Sequence, residues 1–94
     1  AEAELSAARL ALAGDVVQLG YEARAAFYQL QAAELRLRYA QRSLDALAAG
    51  RDAAQALFDA GNIPQLDLSF QIAAYERARI AVAERELDVA DQRE

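Results

Sequence analysis

The sequence predicts an all-α protein, a long antiparallel helical hairpin with coiled-coil packing. Three observations predict it. A four-then-three spacing of mostly apolar residues runs without a slip from Leu5 to Phe58. The single proline and one of the four glycines then fall together in LFDAGNIPQLDL, residues 57–68. Beyond them a second pattern of helical period continues to the end of the chain. Hydrophobic residues make up 55% of the sequence but aromatics only 7%, because alanine supplies the largest share. Alanine favours helix and buries little area per residue, so such helices pack closely over thin cores and need neighbours to complete their burial.

The first element spans residues 1–60. Its seam is Leu5, Arg9, Leu12, Val16, Leu19, Ala23, Ala26, Leu30, Ala33, Leu37, Ala40, Leu44, Leu47, Arg51, Ala54 and Phe58. A heptad seam kept over roughly eight repeats specifies a long helix packed against another helix. Gly14, Gly20 and Gly50 each weaken it by about 1 kcal/mol relative to alanine. The phase continues across all three, which predicts one continuous helix on the order of 85 Å long.

Residues 61–64 form the turn. Gly61 stands where a helix ends in a left-handed residue, and Ile63 is pushed from helical geometry by the proline after it. Pro64 suits the first turn of the next helix. Asp67 lies in that first turn, where exposed amides and the helix dipole favour a carboxylate. These local reasons account for Gly61, Pro64 and Asp67. They leave Ile63, a branched apolar residue at a tip that should be wet.

The returning helix, residues 65–94, carries two apolar rows at sevenfold spacing. One is Leu66, Ala73, Ile80 and Leu87; the other is Leu68, Tyr75, Val82 and Val89. An offset of two residues is about 200° around a helix, so the rows lie on nearly opposite sides. Leu10, Val17, Tyr28, Leu35 and Tyr39 lie similarly off the first helix's seam. Two flanking rows suit a stave in a wall, or equally a helix surrounded in a bundle. Folding at the turn pairs residues 65–94 with roughly 30–60 and leaves 1–29 without an intrachain partner. Both ends lie within helical patterns, AEAELSAARL and AERELDVADQRE, and the expectation is a segment of a longer protein.

Several functions have little support. A net charge of −5 disfavours nonspecific nucleic-acid binding, and the absence of lysine with that charge disfavours an amphipathic membrane-surface helix. No histidine, cysteine or methionine is present to hold a soft metal. With no nucleophile–base pair and no phosphate-binding loop, neither an enzyme nor a cofactor is expected. Asp45, Asp52 and Asp59 recur every seventh residue as an acidic row. Such a row lines an electronegative duct or forms a solvated outer face. Arg9 and Arg51 interrupt the seam and are expected to snorkel or to pair with carboxylates of a neighbouring helix. Glu76 and Arg79 are spaced for a helix-surface pair.

Three features in register resemble the TolC-like outer membrane efflux proteins of Gram-negative bacteria. They are Ala26-Phe27-Tyr28-Gln29-Leu30, the turn Phe58-Asp59-Ala60-Gly61 followed by Asp67-Leu68, and the segment from Gln71 to Arg79, QIAAYERAR. The resemblance implies one hairpin of a periplasmic α-barrel, part of a trimeric duct whose membrane portion is a β-barrel outside this chain. It implies a passive conduit in a tripartite export pump, working with a periplasmic adaptor protein and an inner-membrane pump. On that reading Gly61, Asn62 and Ile63 are candidate adaptor contacts at the tip, and Asp67 is a candidate gate residue. Pro64 and Asn62 depart from the small or aliphatic residues common in the family's turn. The alternative is a cytosolic coiled-coil scaffold or adaptor with no transport role.

Overall fold

The computed structural model describes all residues, Ala1–Glu94. It is a two-helix hairpin: α1 spans Glu2–Asp59 and α2 spans Gln65–Arg93. The molecule is a rod of 89 × 15 × 14 Å. A straight helix of 58 residues measures about 87 Å, so α1 alone sets the length and bends little at its glycines. Glu2 and Glu4 occupy its first turn, where they complement the helix dipole.

The predicted seam is the packing face. Every seam position from Leu30 to Phe58 is buried or half-buried, and every one from Leu5 to Ala26 is exposed. What changes near residue 30 is the presence of α2, not the pattern of α1. On α2 the structure chooses between the two rows. Leu68, Val82 and Val89 are buried and Tyr75 is half-buried, all against α1. Leu66, Ile80 and Leu87 point away and are 62%, 59% and 66% exposed.

Small residues let the helices approach. Ala33, Ala54 and Ala78 are buried in the seam, while no large side chain is fully enclosed. Burying a side chain such as Leu68 or Val82 is worth about 1.5–3 kcal/mol, and a few such layers hold the hairpin closed. Gly50 belongs to this close approach, since a Cβ there would stand 3.3 Å from Gln71 Oε1.

Polar contacts fasten the open end. Arg93 Nη2 lies 3.2 Å from Glu34 Oε1, and Arg36 Nη1 lies 3.7 Å from Asp88 Oδ2. Both pairs are partly exposed, a setting in which such pairs add about 0–1 kcal/mol. Of the two expectations for Arg51, snorkelling or a cross-helix ion pair, the ion pair is not formed. Its guanidinium binds Asp52 of its own helix and lies 4.0 Å above the ring of Tyr75 on α2. The hydrogen bond to Asp52, and then Tyr75, holds its pKa above the usual arginine value. An aromatic face thus fills the place where a carboxylate was expected.

Candidate functional site at the hairpin tip

The tip is built by main-chain geometry. The Gly61 N–H donates to the Phe58 carbonyl at 2.9 Å and the Asn62 N–H to the Leu57 carbonyl at 2.8 Å. This nested pair is a Schellman motif. It requires a left-handed residue, and Gly61 supplies it with φ +77°. Pro64 sits one place earlier than the first helical position, as the N-cap, with φ −67° and ψ 155°. The Pro64 carbonyl accepts from the Asp67 N–H at 3.1 Å and from the Leu68 N–H at 3.4 Å. No side chain caps α2.

Gly61 and Asn62 are exposed at the apex. Ile63 is half-buried, so the wet apolar side chain expected there is partly sheltered. It turns back beside Leu57, Ala53 and Phe70 to line a groove of about 400 Å³. Leu57 is the C3 residue of the Schellman turn, and Ile63, one place past the polar Asn62, takes the apolar contact beside it. Local packing therefore explains part of what the tip's chemistry left open. Phe70 remains 63% exposed and Leu57 45%.

Asp67 is exposed in the first turn of α2 and borders the same groove. Its carboxylate makes no hydrogen bond or ion pair within the chain. The tip is thus an apolar notch with a free carboxylate at its mouth and an exposed Gly61-Asn62 apex. Such a surface is shaped for apolar contact, with one charge available for orientation.

The acidic row lies apart from this groove. Asp45, Asp52 and Asp59 are all exposed. Asp52 accepts from Arg51 at 3.0 and 3.2 Å, and Asp59 accepts from Gln55 at 2.9 Å. Asp45 makes neither a hydrogen bond nor an ion pair, and of the row only Asp52 is paired with a cation. No group of three acidic side chains converges closely enough to hold a metal ion. Glu76 and Arg79 form the expected surface pair at 3.4 Å.

A second groove, about 310 Å³, runs between the helices further from the tip and is lined by Arg36, Tyr39, Ala78, Ala81 and Arg85 among others. Sequence reasoning singled out neither groove. The signal for the first was the spacing Asp67-x-x-Phe70, which stacks an aromatic one turn behind the carboxylate.

No protein-family model, curated protein or solved structure matches the chain. No helix is long and apolar enough to cross a membrane.

Proposed function

We propose that the hairpin is a wall segment of the periplasmic α-barrel of an outer membrane efflux duct, with its tip docking a periplasmic adaptor protein. The observation that supports this most is the pair of uncovered apolar rows. On α2, Leu66, Ile80 and Leu87 lie opposite the row that packs on α1. On α1, within the stretch that α2 covers, Leu35 and Tyr39 stand two residues beyond the seam positions Ala33 and Leu37, about 200° around the helix, and are 43% and 56% exposed. The two helices thus cover each other along one line and leave an apolar edge on each outer side. A ribbon with two such edges is what a wall of repeated staves requires, since each edge is covered by the next stave. A freestanding two-helix scaffold leaves both edges in water, whereas a wall, like a larger bundle, covers them. On this reading the duct is a passive conduit, the apex Gly61-Asn62 and the Ile63 notch meet the adaptor, and Asp67 takes part in holding the entrance closed.

The chain contains no cysteine, which makes the tip testable. In a parent duct assembled in a Gram-negative periplasm, Asn62→Cys is expected to crosslink to the adaptor subunit. Gln18→Cys, far along α1, is expected not to. Equal labelling at both positions, or none at Asn62, removes the docking role.

A further inference from the structure

Two arginines, Arg36 and Arg85, line the groove between the helices further from the tip, and no carboxylate lines it with them. The tip groove has the opposite character, with Asp67 on its wall and no cation. Arg36 is held only by Asp88 at 3.7 Å, beyond hydrogen-bond reach. Arg85 makes no ion pair or side-chain hydrogen bond within the chain. Both guanidiniums therefore keep their N–H donors free. We propose that this groove binds a small organic anion with a flat apolar body, of the class of aromatic carboxylates. The inference rests on the hairpin alone and is independent of the duct reading.

Pairing across the helices gives the layout. Arg36 stands level with Asp88. Three residues nearer the tip on each helix, Tyr39 stands level with Arg85, so the two arginines are about 5 Å apart along the rod. Four residues further, Ser43 stands level with Ala81, and Ala78 lies beyond. The groove thus has a cationic end away from the tip and a neutral end towards it. Two guanidinium forks at that spacing can each bind an oxygen of one carboxylate.

The rest of the groove suits a flat body better than a bare ion. Ala40, Ala78 and Ala81 form its floor and are buried or half-buried. Tyr39 stands beside them 56% exposed, with a face of its ring open for stacking. Ser43 offers a hydroxyl at the neutral end. A space of about 310 Å³ falls at the lower end of the range for small-ligand sites. The exposed Arg38, Arg42 and Arg77 line no groove and lack this setting. Because the groove is open to water, a dissociation constant on the order of 1 mM is expected for a ligand of about a dozen heavy atoms.

Titration of the 94-residue chain with 1-naphthoate, followed by backbone amide chemical shifts, tests this. Saturable shifts are expected to centre on residues 36–43 and 78–85. Two relatives of the probe divide its parts: 1-naphthalenemethanol keeps the body without the charge, and acetate keeps the charge without the body. Each is expected to bind about tenfold more weakly or worse. The double substitution Arg36→Met, Arg85→Met is expected to weaken 1-naphthoate binding by about tenfold or more, with the circular dichroism of the hairpin unchanged. Arg38→Met, about 200° around α1 from Arg36, is expected to leave it within about twofold. Shifts centred on the tip groove or on the outer apolar rows overturn the proposal, as does the absence of a saturable shift below about 10 mM. A loss in Arg38→Met equal to that of the double variant overturns it too, because attraction to overall charge is then enough. Acetate binding as tightly as 1-naphthoate also overturns it, since the arginine pair then serves a bare carboxylate such as an acidic side chain of another protein. The probe comparisons use the unaltered chain and stand even where the double variant loses its helix.

Discussion

Residues 1–29 and 30–59 of α1 share one seam, one phase and one composition, yet their environments differ completely. In the second half the seam is buried or half-buried at every position; in the first half it is exposed throughout. The helix is continuous across the boundary. Periodicity therefore specifies which face of a helix is to be covered, and says nothing of what covers it. The same leucine spacing is a core in one half and a surface in the other.

Truncations on the two sides of that boundary sharpen the contrast most. Leu68→Ala, in the covered part, is expected to cost about 2–3 kcal/mol in a urea unfolding experiment, near the low end for core leucines because the site is open to solvent on its flanks. Leu12→Ala, at dilutions that keep the chain monomeric, is expected to leave the same transition within about 0.5 kcal/mol of its starting value. Equal losses would mean that Leu12 is covered in solution as Leu68 is. Next in size is Gly61→Ala. It forces a side chain into a left-handed conformation, at about 1–2 kcal/mol, and thermal melts are expected to show the loss without a change in helix content at low temperature. The smallest effect is expected from Arg51→Met, which keeps the stem against Tyr75 and removes the cation from its ring. The melting midpoint should fall less than for Gly61→Ala; no fall at all would reduce the stacking to incidental contact.

Much of the fold was legible because it is written in repeating units. The seam positions from Leu30 to Phe58, the continuity of α1 through three glycines and the left-handed Gly61 all follow from spacing and local stereochemistry. Other features were not legible, for identifiable reasons. Both rows of α2 are apolar, so composition could not decide whether Leu66 or Leu68 would face α1. That choice depends on the angle at which the Schellman turn and the extended Pro64 launch the second helix. Arg51 is a seam interruption in sequence, and its aromatic partner sits 24 positions away on the other helix. At the tip, Gly61, Asn62 and Asp67 are exposed as their types suggest. The sheltering of Ile63 required knowing that the turn folds it back towards Leu57.

The hairpin's layers are ordered by the loop each one closes. The layers beside Gly61 join residues few positions apart, whereas the final one, Arg93 to Glu34, joins residues 59 apart. Once the turn has formed, each new layer extends the last by a short step and never closes the whole loop afresh. Assembly then runs as a zipper from Gly61 outward, and disassembly begins at the Arg93 end. A force that separates the ends of the two helices opens the layers one after another at low load, while a pull along the rod loads them all at once. A single turn of four residues thus gives the rod a direction in which it peels and a direction in which it resists.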